Sequence, residues 1–354
     1  MAGRRAVGLD IGTSAVRAAE LSVGRGGYTL ERFGQVALPV GAVVDGEVLD
    51  REAVTAALKV LWSQTKFSTK RVVLGVANQK VVVRQVDLPW MEPKELKRAL
   101  AFQVQDFIPI PVDQAIMDFH PLEEFTNDSG ARMLRVLLVA AGREMVGSCL
   151  DAVQHAGLTP VMVDLTSFAL IRASTHADTL GLDTQAEALI DIGARVTNIA
   201  VHQGGQPKFV RVLLMGGADI TEAVAERMGV PLEQAEALKQ QLGIPATAAQ
   251  RDEHPAGRVI DATAASFVEE IRGSLDYYLA SPSAVPIRRI VVSGGGSRLE
   301  NLVSRLAAVT RLPVECANPL ASVRIGNTKL STEQLGHIER LAAVPVGLAM
   351  GVAS

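Results

Sequence analysis

The feature that most constrains the fold of this chain is a short pattern that occurs twice, roughly half the chain apart. Residues 7–21, VGLDIGTSAVRAAEL, and residues 188–201, ALIDIGARVTNIAV, each read as an apolar strand, an Asp-Ile-Gly triplet, a tight turn and a returning strand. We call them the first and second hairpin. The same hairpin twice, separated by enough chain for a whole lobe, indicates duplication with twofold pseudo-symmetry.

The hairpins also predict a chemistry. A turn of this kind directs backbone N–H groups and small hydroxyls at one spot beside a carboxylate, which suits a phosphate and its magnesium ion. Taken alone, the first hairpin is equally well an ordinary edge hairpin whose aspartate caps the turn. Two hairpins facing each other across a cleft would hold a polyphosphate, with Asp10 and Asp191 holding magnesium through water.

Composition narrows the class of protein. The 354 residues are 48% hydrophobic, 21% charged and 4% aromatic, with 31 glycines, which is typical of an α/β protein rich in tight turns. At roughly 150 residues per domain, this length predicts two domains or two elaborated lobes. The net charge of −3, with both signs interspersed, argues against a surface for nucleic acid or anionic lipid.

The two cysteines and the apolar stretches of the sequence indicate in which cellular compartment the protein is expected. Cys149 and Cys316 lack CxxC spacing and neighbouring histidines, so we expect both to be buried and reduced. Asp10 interrupts the apolar run after the N-terminal arginines, which excludes a signal-peptide core. The longest apolar stretch, 342–353, is shorter than the roughly 20 residues of a membrane span. We expect a cytoplasmic protein without direct membrane insertion, in which 342–353 forms a buried terminal helix.

The region between the hairpins predicts an insertion. After a strand at 31–38 comes a helix with Asp50 as its N-cap, then a buried strand at 72–77. From 81 to 163 the order changes to strand, helix, strand, strand, helix, with the first helix beginning near Pro93. This order predicts a small α/β module inserted into the first lobe.

Two later motifs suggest nucleotide contacts. A triple glycine at 294–296 separates a predicted strand, 289–293, from a predicted helix, 298–310, so bare amides and the helix dipole would point at an anion. Dinucleotide and P-loop fingerprints are absent from the sequence. Further back, Glu236 and Lys239 share one face of a helix, where they could contact an adenosine or form only a surface salt pair.

The complete set of motifs resembles the actin-like ATPase superfamily, which includes actin, DnaK-type chaperones, sugar kinases and FtsA. That set is two Asp-Gly hairpins, the triple glycine, an A-E-x-x-K helix and a glycine-containing C-terminal helix. Within the superfamily, residues 95–119, ELKRALAFQVQDFIPIPVDQAIMDF, are similar to the corresponding segment of the PilM family of type IV pilus assembly proteins. Gly216-Gly217 with Ile220-Thr221, and AGLTPVMVDLTSFAL at 156–170, agree as well.

This resemblance implies an α/β fold of the two-lobed actin-like ATPase type, a duplicated ribonuclease H-like architecture, with an FtsA-like inserted α/β subdomain. The first lobe would comprise 1–80, 164–185 and 335–354. The inserted subdomain would be 81–163. The second lobe would run from 186 to 334, with 221–275 as its outer subdomain.

The resemblance also implies a function. PilM proteins bind ATP in the cleft and capture the cytoplasmic N-terminal tail of the membrane protein PilN in a groove involving the extra module. We therefore expect an ATP-binding cytoplasmic scaffold of pilus assembly, peripheral to the membrane through its partners. The expected cofactors are ATP and Mg²⁺. The expected partners are a PilN-like tail and other pilus-assembly proteins, and self-association is also allowed for.

Carried over residue by residue, the resemblance assigns two groups of ligands. The expected phosphate-binding residues are Asp10, Gly12, Thr13, Ser14, Asp191, Gly193, Ala194 and Gly217. The expected adenosine-binding residues are Glu236, Lys239, Gly294, Gly295 and Gly296. Asp10 and Asp191 would hold the metal through water, and neither a catalytic residue nor a partner-binding residue is assigned.

One departure from the superfamily bears on turnover. Members that hydrolyse ATP quickly usually place a Gln, Glu or Asp near the segment joining the lobes, where it orients the attacking water. Here Thr166 and Ser167 follow Asp164, and Asp164 itself can belong to the preceding strand. We expect hydrolysis to be slow or absent.

Three other functions stay open at this point. An FtsA-like division protein would normally end in a basic amphipathic membrane helix, and we expect none in the sequence up to Ser354. A small-molecule kinase of the superfamily would need a catalytic base. A non-nucleotide interaction module would share only the fold.

Overall fold

The computed structural model describes residues 4–24, 26–174, 185–282 and 284–353. Strands are numbered in chain order: β1 (Arg4–Ile11), β2 (Ala15–Gly24), β3 (Gly27–Ala37), β4 (Val43–Val44), β5 (Glu47–Val48), β6 (Arg71–Val76), β7 (Val82–Pro89), β8 (Ala115–Thr126), β9 (Arg132–Gly142), β10 (Thr159–Leu165), β11 (Ala186–Ile192), β12 (Thr197–Gln203), β13 (Gln206–Leu213), β14 (Ile287–Ser293), β15 (Val314–Cys316) and β16 (Arg324–Ile325). The helices are α1 (Arg51–Thr65), α2 (Pro93–Val104), α3 (Arg143–His155), α4 (Thr166–Ser174), α5 (Gly217–Met228), α6 (Leu232–Leu242), α7 (Ala248–Glu253), α8 (Pro255–Leu279), α9 (Leu302–Thr310), α10 (Thr332–Ile338) and α11 (Ala343–Ala353).

The first large sheet has six strands in the order β10-β6-β1-β2-β3-β16. Its central strand β1 runs antiparallel to β2 and parallel to β6. One face packs on α1 and α3, and the other packs on α11. The contact with α11 depends on Gly8, because a Cβ there would lie 2.0 Å from the Pro345 carbonyl oxygen.

The second large sheet repeats this arrangement. Its order is β13-β12-β11-β14-β15, and β11 runs antiparallel to β12 and parallel to β14, as β1 does to β2 and β6. Its apolar core includes side chains of α5, the long helix α8 and α9. The duplication predicted from the two hairpins therefore extends to the central strands of both sheets, which have the same pairing pattern.

Two helices lie between the large sheets. Buried side chains of α4 and α11 form one apolar cluster with Val73 of β6 and with Leu189 and Ala200 of the second sheet. Close packing is again made possible by a glycine, since a Cβ at Gly347 would lie 1.9 Å from the Ala169 carbonyl oxygen. These two helices join the halves of the molecule.

The inserted module consists of a three-stranded sheet, β7-β9-β8, that packs on α2. The element order is the predicted strand, helix, strand, strand, helix, and α2 begins at Pro93 as expected. Helix α3 shares a core with α1. Strand β10, which crosses the predicted boundary at 163, pairs with β6 in the six-stranded sheet.

Local signals in the sequence gave mixed results. The Asp50 cap of α1 is confirmed, since its carboxylate accepts the Ala53 amide at 2.9 Å. The helix expected at 298–310 begins only at Leu302, because Gly295–Arg298 form a 3₁₀ turn and Asn301 is left-handed, with φ of 65°. The expectation that both cysteines are buried is wrong for Cys316, which is exposed on the edge strand β15.

Among the described residues, no single helix is long and apolar enough to cross a membrane. One bent pair, Thr332–Leu341 with Ala343–Val352, passes a test of length and composition, with a bend of 78°. Its second member is α11, where Val346, Leu348 and Ala349 are fully buried. The terminal segment thus forms the buried helix that its apolar sequence predicts.

Candidate functional site

A cleft of about 940 Å³ brings the sequence-predicted site residues together. Both hairpins contribute to its wall, as do α5, α6 and the triple-glycine turn. The predicted residues that line it are Asp10, Gly12, Thr13, Ser14, Asp191, Gly193, Ala194, Gly217, Glu236, Lys239, Gly294, Gly295 and Gly296. Motifs from five separate parts of the chain therefore meet at one place.

The two hairpins have the same turn geometry. The Gly12 amide donates to the Ala15 carbonyl at 3.0 Å, and the Gly193 amide donates to the Val196 carbonyl at 3.0 Å. Thr13 and Ser14 form the tip of the first turn, while Ala194 and Arg195 form the tip of the second. The first turn thus offers two hydroxyl groups, whereas the second offers an alanine and an arginine.

The second hairpin is bonded to the start of α5. The Gly217 amide donates to the Gly193 carbonyl at 3.0 Å, and the Ala218 amide donates to the Ala194 carbonyl at 2.7 Å. A Cβ at Gly216 would lie 2.5 Å from the Gly193 carbonyl oxygen, so this approach requires glycine. The backbone of Gly217 reaches the cleft, but its N–H group is already used by the hairpin.

Keeping Asp10 and Asp191 ionised costs free energy in the folded protein. Burial raises the pKa of Asp10 to about 6; Arg17 opposes this rise and Asp191 adds to it. Arg17 contributes an Nη1 atom only 3.7 Å from the Asp10 carboxylate. Burial also raises the pKa of Asp191, against the effects of a 2.7 Å hydrogen bond from Ser293 and of the Arg17 charge. A cation between the two carboxylates would relieve this cost.

The donor set fits magnesium held through water. Two carboxylates facing a phosphate site are what Mg²⁺ takes from a protein, since the ion keeps several waters. Among the residues that the structure describes, no group of three or more His, Cys, Asp or Glu side chains could hold a metal ion by itself. Asp10 and Asp191 therefore suit a hydrated ion delivered with its phosphates.

Lys239 is buried and fully hydrogen-bonded within the protein. Its ammonium group donates to the Gly217 carbonyl at 2.9 Å, to Thr221 Oγ1 at 2.8 Å and to Glu236 Oε2 at 2.6 Å. These bonds use all three donors of a lysine. Lys239 therefore connects α5 to α6 and orients Glu236, whose side chain is 39% exposed.

Glu236 is held as a carboxylate. Burial alone would raise its pKa, but hydrogen bonds from Lys239, Thr221 and Gln240 outweigh burial and lower the pKa. At neutral pH the cleft wall here carries a fixed acceptor beside Gly217. Such an acceptor suits the hydroxyl groups of a sugar.

The triple-glycine turn packs directly on the second hairpin. Gly294 has a φ of 82°, and a Cβ there would lie 2.4 Å from the Ile192 carbonyl oxygen. A Cβ at Gly296 would lie 2.4 Å from Ile192 Cγ2. The backbone of this turn is thereby exposed to the cleft without side chains in the way.

The segment that joins the lobes places a hydroxyl at the cleft. Asp164 is buried at the end of β10, where it forms an ion pair with Arg172 and accepts its neighbour's amide, Leu165 N, at 2.8 Å. Thr166, two residues later, lines the cleft. The Asp164 carboxylate is thus committed to a structural ion pair and is not part of the cleft wall.

A family model supports the assignment. The model for "Type IV pilus assembly protein PilM" matches residues 8–352 of the chain. The chain belongs to the PilM family. It is 29% identical to a chain of the "PilM-PilN type IV pilus biogenesis complex", with a TM-score of 0.85 over 99% of this chain and 98% of that one.

Other proteins are similar to this PilM-family chain in sequence or in fold. FtsA of Bacillus subtilis strain 168 is 26% identical over 263 residues, which cover 67% of this chain and 58% of FtsA. The chain thus spans less than two thirds of that relative's length. EutJ of Carboxydothermus hydrogenoformans and MreB5 of Spiroplasma citri are 16% and 13% identical over 99% of this chain, covering 90% and 96% of theirs, with TM-scores of 0.57 and 0.56. The fold is the two-lobed actin-like ATPase fold.

Several cleft residues of this PilM-family chain escaped sequence reasoning. Arg17 and Asn198 line the cleft and lie directly across the hairpins from Asp10 and Asp191 in the strand register. Ser293, which lies outside the cleft wall, donates a hydrogen bond to Asp191, and Thr221, noted in the sequence only as part of the resemblance, accepts one from Lys239. Arg17 and Asn198 could have been found from the sequence, because an antiparallel hairpin with a known turn fixes which residue lies opposite each aspartate.

Proposed function

We propose that this PilM-family chain binds Mg-ATP in the cleft between its two lobes. The observation that carries the proposal is that both hairpins, each with a partly buried aspartate of raised pKa, line one cleft with the predicted adenosine residues. A structure of MreB5, which has the same fold, is described as bound to ADP. The proposed ligand is therefore an adenine nucleotide with magnesium.

The proposed ligand contacts follow from the donors on each wall. Thr13 and Ser14 of the first turn donate to phosphate oxygens, and Asp10 and Asp191 hold the waters of the metal. The magnesium ion supplies positive charge that offsets the charge of the phosphates. Glu236 accepts from the sugar, and the triple-glycine turn lies against the base.

Hydrolysis is proposed to be slow or absent. A fast ATPase needs a group that orients the attacking water. In this chain, Asp164 is paired with Arg172, and Thr166 stands at the corresponding part of the cleft. ATP would then act as a ligand that stabilises one lobe arrangement, by about 2.7 kcal/mol at a hundredfold excess over Kd.

The biological role is proposed to be a cytoplasmic scaffold of type IV pilus assembly, peripheral to the membrane through its partners. Its partner would be the N-terminal cytoplasmic tail of a PilN-like membrane protein. Support comes from the likeness, over nearly the whole of both chains, to a chain of a PilM-PilN complex. Other pilus-assembly proteins and self-association belong to the same proposal as further contacts.

A direct test of nucleotide binding is a thermal-shift titration with Mg-ATP. We expect the wild type to be stabilised and both Asp10→Ala and Asp191→Ala to lose the shift. Asp276→Ala is the matched control, because that aspartate is 66% exposed on α8 and should leave the shift intact. A shift that both cleft variants retain would overturn the two-hairpin site.

The partner is tested separately with a labelled peptide of the PilN tail. We expect saturable binding by fluorescence anisotropy and none with a scrambled peptide. An FtsA-like role predicts instead that the purified protein pellets with liposomes on its own. Pelleting without peptide binding would favour that alternative, and phosphorylation of a polyol or acid would favour a kinase.

A further inference from the structure

One wall of the cleft is formed by a small hairpin that belongs to neither large sheet. Strands β4 and β5 pair with each other and, within the described chain, with no other strand. We call residues 41–49, which contain this hairpin, the flap. The flap residues that line the cleft are Gly41, Val43, Val44, Asp45 and Gly46. One face of the flap is therefore directed at the cleft from the side of the first lobe.

The flap has little to stabilise it on its own. Each strand has only two residues, and a two-stranded hairpin is marginally stable by itself in water. Its turn residues, Asp45 and Gly46, have φ values of 53° and 82°, as in the two-residue Asp-Gly turns of tight hairpins. Val43 and Val48 pack into the first-lobe core, while Val44 is 37% exposed on the cleft wall. The position of the flap thus depends on its bonds to neighbouring segments.

These bonds come from both ends of the inserted module. Asn78, in the segment that leads from β6 into the module, donates from Nδ2 to the Asp45 carbonyl at 2.6 Å. Its Oδ1 atom accepts the Lys80 amide at 2.8 Å, so two backbone partners, one acceptor and one donor, fix the orientation of the side-chain amide. On α3, at the far end of the module, Ser148 Oγ accepts the Val48 amide at 3.3 Å. The module therefore holds the flap at two points.

Cys149 of α3 lies beneath the flap. Its thiol contacts the Gly46 carbonyl oxygen at 4.0 Å, and the residue is only 3% exposed. A buried thiol reacts with a reagent only from an open state, so its labelling rate reports how often the segment that covers it moves away. Cys316, the other cysteine of the chain, is exposed on β15 and provides an internal reference.

We propose that the flap is a hinged part of the cleft wall, which the inserted module latches through Asn78 and Ser148. Gly41 provides the hinge, because its φ of 86° suits glycine and a Cβ there would meet no atom within 4 Å. A ligand in the cleft packs against the inner face of the flap and keeps it closed, and a displacement of the module releases the latch. The flap thus links the cleft to the module. The link to the cleft rests on the proposed function, whereas the latch does not.

The latch is tested by labelling with the thiol reagent DTNB in the absence of ligand. We expect a fast phase from Cys316 and a slow phase from Cys149, and Cys316→Ser should remove only the fast phase. Ser148→Ala removes the acceptor of the Val48 amide but keeps a good helix former in α3. It should accelerate the slow phase by about fivefold, as for the loss of one hydrogen bond. Ser266→Ala is the matched control, because that exposed serine donates to a carbonyl of its own helix and should leave the rate unchanged.

A second variant and a denaturant series exclude a general loss of stability. Asn78→Ala removes the other latch bond, and we expect it to accelerate the slow phase by about tenfold or more. The free energy of unfolding of each variant is measured alongside, and the acceleration should exceed the factor that the change in global stability explains. Because opening of the flap exposes little surface, low urea should change the slow phase by less than about twofold.

The link to the cleft is tested on the same protein with Mg-ATP. Binding is measured by isothermal titration calorimetry, and labelling is then repeated at a saturating concentration of the ligand. We expect the slow phase of Cys149 to be about tenfold slower or more, since the ligand favours the closed flap that it contacts. The fast phase of Cys316 should stay the same.

The outcomes separate the latch from the nucleotide. An unchanged slow phase in both Ser148→Ala and Asn78→Ala, or a slow phase that rises with urea as steeply as global unfolding does, would overturn the flap. Calorimetric binding of Mg-ATP without a slower Cys149 phase would overturn the link to the cleft. Absence of ATP binding would overturn the proposed function and that link with it, whereas faster labelling of the ligand-free variants would still support the latch.

Discussion

Asp10 and Asp191 each carry an electrostatic cost in the folded chain, seen as a raised pKa. Burial raises the pKa of both, and each lies close enough to Arg17 for that charge to oppose the rise. One guanidinium at 3.7 Å from Asp10 does not offset the burial of two carboxylates. Carboxylates arranged in this way are typical of sites that receive a cation.

This cost predicts that Asp10→Asn stabilises the ligand-free protein. The pKa of Asp10, about 6, lies above its ordinary 3.8, so its contribution to stability is present below pH 3.8 and is lost as the pH rises through 6. At pH 7.5 the ionised group costs up to about 3 kcal/mol, and Asn forfeits the Arg17 pair, so we expect a gain of about 1–2 kcal/mol. Thermal or chemical unfolding without ligand measures it.

The same variant should lose the stabilisation by Mg-ATP, because asparagine cannot replace a carboxylate toward the hydrated ion. Stability and binding would therefore change in opposite directions. Asp276→Asn, on the exposed side of α8, should change neither. A ligand-free Asp10→Asn protein that is less stable than wild type at pH 7.5 would contradict the electrostatic interpretation.

Glu236 gives a second prediction at this scale. If its fixed carboxylate accepts from the sugar, Glu236→Ala should weaken ATP by about tenfold and leave inorganic tripolyphosphate unaffected, since tripolyphosphate has no sugar. Competition against a fluorescent ATP analogue measures both ligands. An equal loss for the two ligands would instead place Glu236 beside the phosphates.

Individual residues also show where sequence reasoning ends. Asp10, Gly12 and the triple glycine are specified by local patterns, because a tight turn needs those residue types at those places. Cys316 looked buried because its neighbours in sequence are apolar, but β15 is an edge strand, so neighbours in sequence do not cover it. Asn198 carries no pattern of its own, and only the strand register places it across from Asp191.

Among the elements, the second hairpin is the support on which the other cleft-lining turns are assembled. The α5 terminus bonds to it through Gly217, and the triple-glycine turn packs on Ile192. Gly216 and the triple glycine lie far apart in sequence, yet both bring their backbone into contact with the second hairpin. A side chain at Gly216, Gly294 or Gly296 would prevent that contact. The sequence predicted Gly217 and the triple glycine as phosphate or adenosine ligands, and the structure adds the packing role of these segments.

The triple-glycine element also shows why helix boundaries are hard to predict. The pattern of Leu299, Leu302 and Leu306 suited a helix starting at 298. The left-handed conformation of Asn301 instead delays α9 until Leu302, with a 3₁₀ turn before it. The dipole of α9 is therefore set back from the glycines, and the turn's own backbone faces the cleft.

The second sheet contains a charge network with a predictable pH dependence. Glu187 of β11 accepts from Arg288 and Arg289 of β14 and lies 3.6 Å from His202 of β12, and the His202 interaction is the main cause that lowers its pKa to about 2. Its contribution to stability is therefore present above its ordinary value of 4.5 and is lost as the pH falls through 2.

Glu187→Gln should accordingly destabilise the protein by about 2–3 kcal/mol at pH 7, since it removes the buried carboxylate that pairs with two partly exposed arginines. The difference from wild type should shrink as the pH falls from 4.5 toward 2. Chemical unfolding at several pH values measures this, with Glu253→Gln, an exposed glutamate at the end of α7, as the control. A difference that stays constant with pH would contradict the network's electrostatic origin.

The architecture of the whole molecule reflects the duplication of one sheet arrangement. Each large sheet has a central strand with an antiparallel hairpin partner on one side and a parallel strand on the other, and α4 and α11 pack between the sheets. Repetition in sequence predicted two such units with an inserted module between the hairpins. How closely they approach could not be read from the pattern, because it depends on contacts such as Gly347 against Ala169.

At this scale the central claim is that one metal nucleotide bridges both hairpins. The most direct measurement is a crystal structure of the protein with magnesium and a non-hydrolysable ATP analogue. We expect the phosphates between residues 12–14 and 193–194, magnesium waters on Asp10 and Asp191, and the base against 294–296. A nucleotide bound to one hairpin alone, or outside the cleft, would contradict it.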